Sequence, residues 1–117
     1  MNIVYVCIIP GLGYLSITCF KLSRWLATTH FEATDARAAF PCFDEPHLKA
    51  NFTLAMVHEP NYISLFNTEK LSSEDIGAGL KLDRFATSVT MSTYLVAFVV
   101  CDFGSKSAFT EKSRIKV

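Results

Sequence analysis

Phe85-Ala86-Thr87-Ser88-Val89-Thr90-Met91-Ser92-Thr93-Tyr94-Leu95-Val96-Ala97-Phe98-Val99-Val100-Cys101-Asp102-Phe103 is the stretch on which the fold turns. Its first 17 residues carry no charge, and Thr, Ser and Val are abundant in them. A membrane-spanning helix takes about 20 apolar residues, so the run is short for one, and its β-branched content suits a buried strand. At a period of two, Val89, Met91, Thr93, Leu95, Ala97, Val99, Cys101 and Phe103 share one face. Tyr94, Val96, Phe98 and Val100 load the other. The pattern predicts one long strand whose second half is buried on both sides.

Working outward, residues 67–80 are polar with two glycines and predict a loop. Residues 62–66 predict a short strand, and Glu59-Pro60-Asn61 a turn. Residues 51–58 alternate, with Phe52, Leu54 and Met56 on one face of a further strand. Residues 25–31 suit another. Residues 1–9 and 14–20 flank Pro10-Gly11-Leu12-Gly13 and predict a hairpin. Many short strands between turns, with almost no helical periodicity, predict an all-β fold, a sandwich or part of one.

The chain has 117 residues, enough for one domain, and half of them are hydrophobic, ten being Phe. Such a chain buries a core, which excludes a disordered class. Eleven basic residues balance eleven acidic ones and are scattered singly, so neither a nucleic-acid partner nor a polybasic membrane signal is indicated. Residues 1–20 also lack charge, but Pro10, Gly11 and Gly13 interrupt them and no charged start precedes the apolar part. They make a poor signal peptide. The chain divides into an apolar segment, residues 1–23, read as a hairpin or a weak anchor, and a β domain, residues 24–117.

Residues 32–49 are different. Pro41 and Pro46 bar a continuous helix, because each lacks an N–H and restricts the residue before it. Thr34 is placed to cap a single helical turn over residues 35–39, and the rest reads as an ordered loop. Within it, Asp44 and Glu45 are adjacent carboxylates. Neighbours in a Pro-flanked loop diverge, so an ion pair or backbone hydrogen bonds that pin the loop, with Arg37 as a partner, is favoured over acid–base chemistry. Cys42 and His47 lie five residues apart with Pro46 between them, a weak setting for a nucleophile and its base. The four cysteines show no C-x-x-C spacing.

His58-Glu59 opens like the metalloprotease motif H-E-x-x-H, but Pro60 follows and Tyr62 stands where the second histidine belongs. The two imidazoles of that motif must lie one helical turn apart to share a zinc ion, so the match is rejected. Asn51-Phe52-Thr53 is an N-glycosylation sequon, usable only on the secretory route. The residues alone give a β domain with one unusual ordered loop and no activity.

Two stretches carry a family resemblance. Trp25-Leu26-Ala27-Thr28-Thr29-His30-Phe31-Glu32-Ala33-Thr34-Asp35-Ala36-Arg37-Ala38-Ala39-Phe40-Pro41-Cys42-Phe43-Asp44-Glu45-Pro46 resembles the zinc aminopeptidases of the aminopeptidase N and oxytocinase group. Met91-Ser92-Thr93-Tyr94-Leu95-Val96-Ala97-Phe98, with Val99 to Phe103 after it, is similar to a second signature of that group. The resemblance implies an N-terminal, saddle-shaped β domain that packs on a thermolysin-like catalytic domain. It implies zinc in the intact enzyme and none in this chain, because the G-x-M-E-N and H-E-x-x-H segments that hold the chemistry are not in this sequence. No catalytic or metal residue is therefore assigned here.

By position, the resemblance makes Glu32 the residue that helps bind a substrate's free α-amine. An ammonium stripped of water needs a charged acceptor, which is consistent with that role. His30 stands where the family commonly has Gln, lining the pocket for the first side chain. Phe66-Asn67-Thr68-Glu69 departs from the family's S-N-M-P. The implied partners are peptide N-termini and the catalytic domain, and the implied location is the plasma membrane, the secretory route or outside the cell. Two alternatives remain at this point: a non-catalytic β module that pairs with an intact aminopeptidase, and a β domain anchored in a membrane by residues 1–20.

Overall fold

The strand β3, Leu54–His58, forms as its alternation predicts. Leu54, Met56 and His58 are buried while Ala55 and Val57 are half-buried. The other strands of this computed structural model, which describes residues 4–7, 26–104, 106, 108, 110 and 111, assemble around it. They are β1 (Val4–Cys7), β2 (Leu26–Thr28), β4 (Ile63–Phe66), β5 (Lys70–Gly77), β6 (Leu80–Phe85) and β7 (Phe98–Cys101). One four-residue helix, α1 (Ala36–Ala39), and a 3-10 turn, Thr93–Leu95, complete the described elements. The fold is all-β.

Two sheets result, with strand orders β1-β3-β6-β5 and β2-β7-β4. β1 runs parallel to β3, and every other pair is antiparallel. The proposed partner of residues 1–9 in a hairpin, residues 14–20, lies outside the described residues. Among those that are described, no helix is long and apolar enough to cross a membrane.

Both sheets contribute to one apolar cluster, Leu54, Met56 and Phe85 from the first and Phe98 and Val100 from the second. Phe31, Phe40 and Phe52 fill it from the intervening loops and Ala36 from α1. The rings of Phe98, Phe31, Phe40 and Phe52 form a chain of edge-to-face contacts, with centroids 6.1, 6.0 and 6.2 Å apart. Each such pair contributes about 0.5–1.5 kcal/mol beyond the area it buries. Phe31, in the middle of the chain, holds the loop that follows β2 against the core.

The long strand predicted over residues 85–103 is not formed. β6 ends at Phe85 and β7 begins only at Phe98. The cause is the hydroxyls in between. Ser88 Oγ accepts a hydrogen bond from the Phe52 N–H at 2.9 Å and donates to Val89 O at 2.8 Å. Ser92 donates to Pro46 O, and Thr93 to Asp44 Oδ1. Buried Ser and Thr that bind backbone and loop partners draw the chain away from a regular ladder. Val89, expected on a buried face, is 79% exposed. Leu95, Ala97 and Phe103 are exposed as well, so on that face of the second half only Thr93 and Cys101 are buried, whereas Val96, Phe98 and Val100 bury the other.

The loop predicted over residues 67–80 is instead the hairpin of β5 and β6. Gly77 pairs with Leu80, leaving Ala78 and Gly79 as a two-residue turn with φ of 53° and 71°. Positive φ at both central residues is the type I′ geometry whose twist matches that of the strands. β5 is a sheet edge and almost wholly exposed, so it needs no apolar face and carries no alternation to read. At α1, Asp35 rather than Thr34 occupies the cap, with no side-chain hydrogen bond. Burial of Phe31, Ala36 and Phe40 holds that turn in place of a cap.

Candidate functional site

β2 passes into the distinctive loop through Thr29, which continues the ladder beyond the strand. Its N–H donates to Phe98 O at 3.2 Å, and its hydroxyl accepts from the Phe98 N–H at 3.0 Å. The next three residues alternate. His30 is exposed, Phe31 is buried among aromatic rings, and Glu32 is exposed. The Glu32–Ala33 peptide bond is cis. The Asp35 N–H then bonds back to Phe31 O at 3.1 Å and leads into α1.

Arg37 and Asp44 close the loop. The Arg37 backbone N–H and its Nε donate to Asp44 Oδ2 at 3.1 and 3.3 Å, and Nη2 donates to Asp44 O at 3.1 Å. This is the ion pair expected from the sequence. Thr93 supplies a donor to the other carboxylate oxygen at 3.1 Å. Burial alone raises the Asp44 pKa, but the Arg37 N–H, the Thr93 hydroxyl and the guanidinium outweigh it and hold the carboxyl below its ordinary value. The adjacent Cys42 thiol is pushed up by burial and by the Asp44 charge, against the pull of Arg37. The thiolate is the reactive form, so Cys42 is a poor nucleophile, and His47 is exposed. Glu45, neighbour to Asp44, is exposed too.

A second polar cluster was not visible in the sequence. His58 Nε2 lies 2.8 Å from Asp83 Oδ2, and Nδ1 lies 2.8 Å from Glu59 O. The Ser64 hydroxyl and Lys70 Nζ bind the same Asp83 oxygen. Asp83 is fully buried, and its Oδ1 has no hydrogen-bond partner. Burial pushes this carboxyl up, but Lys70, Ser64, Ser73 and His58 together hold it well below the usual range. Ser and His both bind the carboxylate and not each other, so no base activates the hydroxyl and no proton relay exists. The cluster ties β3 and β6 of one sheet to β4 of the other. The only signal for it is that His58, Ser64 and Asp83 occupy inward positions, which shows only once the register is known.

The sites named from sequence thus separate. His30 and Glu32 sit together on the clamped loop. His58 is committed to Asp83. Asn51 is exposed on the segment that enters β3.

Residues 20–95 match the family model described as Peptidase M1 N-terminal domain. The chain belongs to the peptidase M1 family. It is 53% identical to endoplasmic reticulum aminopeptidase 2 of Homo sapiens over 95 residues, 81% of this chain and 10% of that protein. It is 49% identical to endoplasmic reticulum aminopeptidase 1 of Mus musculus over 94 residues, 80% of this chain and 10% of the relative. With the alanine/arginine aminopeptidase of Saccharomyces cerevisiae the identity is 51% over 80 residues, 68% of this chain and 9% of the other. The chain spans about a tenth of the length of the curated relatives it matches. Both the clamped loop and the Thr93 turn fall inside the matched M1 region. M1 family aminopeptidases are zinc enzymes in their intact form. Among the described residues, no three His, Cys, Asp or Glu side chains are grouped to hold a metal ion.

Proposed function

We propose that this chain supplies part of the site at which an M1 aminopeptidase holds a peptide's N-terminus. Glu32 receives the α-ammonium, and His30 borders the space for the first side chain. The observation that carries this reading is the placement of His30 and Glu32, both exposed, on either side of buried Phe31. The loop bearing them is pinned at Thr29, Arg37 and Asp44. A loop backbone pinned in this way loses little freedom on binding, which favours affinity.

Peptide-bond hydrolysis belongs in this reading to a catalytic domain packed beside the chain. Phe43, 75% exposed, and Leu48 offer that domain apolar contact next to the clamped loop. The names of the two endoplasmic reticulum relatives support a place on the secretory route.

The test joins residues 26–104 to the catalytic part of a full-length M1 enzyme, in place of the matching segment, with Glu32 or with Glu32→Ala. A charge-assisted hydrogen bond contributes roughly 1.5–3 kcal/mol. The variant is therefore expected to lower kcat/KM for substrates with a free N-terminus about ten- to a hundredfold. Binding of N-acetylated analogues, which carry no ammonium, is expected to stay the same. Equal behaviour of the parent and Glu32→Ala hybrids toward both ligand types would remove Glu32 from the site.

A further inference from the structure

The sequon at Asn51 takes no part in the clamped loop or the buried cluster, yet its surroundings are specific. Residues 51–53 lead from the bridge at Ala50 into β3. The Ala50 N–H donates to Met91 O at 3.0 Å and the Met91 N–H to Ala50 O at 2.9 Å, which fixes the entry to β3. Phe52 is locked into the core, with its N–H on Ser88 Oγ. Alternation then leaves Asn51 exposed and Thr53 half-buried, with the Thr53 hydroxyl 2.9 Å from Thr87 Oγ1 in an exposed contact. The two side chains that define the sequon therefore face away from the core, which a chance triplet need not achieve.

Asn51 is also held. Nδ2 donates to Ser88 O at 2.8 Å, and Oδ1 accepts from Thr90 Oγ1 at 3.1 Å. An amide nitrogen has two hydrogens, and the bond to Ser88 uses one.

We infer that Asn51 is the acceptor of an N-linked glycan, and that the surface formed by Asn51, Thr53 and Val89 is open enough to solvent to carry it in the folded chain. The donor class is an oligosaccharide on a polyprenyl pyrophosphate. A bond forms between Nδ2 and the sugar C1, the C1–O bond to the pyrophosphate breaks, and the leaving group departs with the electron pair. Nδ2 gives up one proton and keeps the other, so the bond to Ser88 O survives the modification. The first sugar sits beside Val89, whose side chain follows Ser88 in the chain and is 79% exposed. This inference goes beyond the peptide-binding reading and does not depend on Glu32 or His30.

The test expresses the full 117-residue chain in a eukaryotic secretory cell, once with its own N-terminus and once behind an appended cleavable leader. The leader-bearing chain is expected to gain the mass of one glycan, removable by an amide-cleaving glycosidase. Asn51→Gln and Thr53→Ala are expected to abolish the gain and Thr53→Ser to retain it. Release of the glycan without denaturant supports the open surface. Lumenal leader-bearing chain without sugar on Asn51 would overturn the acceptor, and resistance to the glycosidase until unfolding would overturn the open surface.

Discussion

Thr93 donates a hydrogen bond to Asp44 Oδ1 at 3.1 Å across 49 residues of chain. Through it, the 3-10 turn that precedes β7 grips the loop that follows β2. Both oxygens of the buried Asp44 carboxylate are thereby engaged, Oδ2 by Arg37 and Oδ1 by Thr93.

Thr93→Val removes one of those donors while keeping the shape. The buried carboxylate oxygen is left unsatisfied, at an expected cost of about 1–3 kcal/mol. Thr93→Ser restores the donor and is expected to stay close to wild type. Urea unfolding reads both, as a shift of midpoint at constant slope. Equal midpoints for Thr93→Val and wild type would show that the contact carries no stability.

Acid is expected to unfold the chain through Asp44 and Asp83. Both carboxyls lie lower in the folded protein than in the unfolded chain. Their contribution is complete above the ordinary Asp value of about 3.9. It is lost as the pH falls below that value toward each folded one, with Asp83 holding out to lower pH. Melting temperature against pH should be nearly level on this account above about pH 5 and fall steeply below 4. Asp44→Asn, less stable at neutral pH, should show a shallower fall.

The cluster at Asp83 predicts strong non-additivity. Asp83→Ala leaves buried His58 and Ser64 without their acceptor, at an expected cost of about 3–5 kcal/mol. Replacing the pair together, Asp83→Leu with His58→Leu, leaves only the Ser64 hydroxyl unmatched among the buried groups and is expected to recover much of that loss. Ser64→Ala alone should cost about 1 kcal/mol, since two other donors remain on the same oxygen. A double-mutant cycle with a coupling energy near zero would refute the cluster.

Ala78 holds φ at 53° in the β5–β6 turn, where an L-residue with a Cβ is strained. Ala78→Asn creates the Asn-Gly pair that type I′ turns favour. A gain of roughly 0.5–1 kcal/mol is expected, read as a higher melting temperature. A lower one would mean that the turn changes type.

Much of this was legible in the residues. The alternation of Phe52, Leu54 and Met56 gives β3 and its buried face, and the adjacent carboxylates of the Pro-flanked loop point to a pinning partner such as Arg37. Residues 85–103 misled because hydropathy counts Ser88, Ser92 and Thr93 as neutral filler, whereas in the fold each is a buried donor that redirects the chain. β5 escaped because an exposed edge strand needs no apolar periodicity. The contact of Asp83 with His58 and Ser64 depends on strand register across two sheets, which no local pattern encodes.

β7 is the centre of its sheet, and both of its neighbours precede it in the chain. On the ribosome, Thr29 emerges first and its ladder partner Phe98 follows 69 residues later. At about 5–20 residues per second, β2 and β4 therefore wait seconds with open edges. The loop that carries Glu32 has its local Arg37–Asp44 clamp early but is tied to the second sheet only then, since Thr29 needs Phe98 and Asp44 needs Thr93. Translation arrested before β7 therefore yields a first sheet able to pair and a loop closed by Arg37 and Asp44 but not yet joined to its strand.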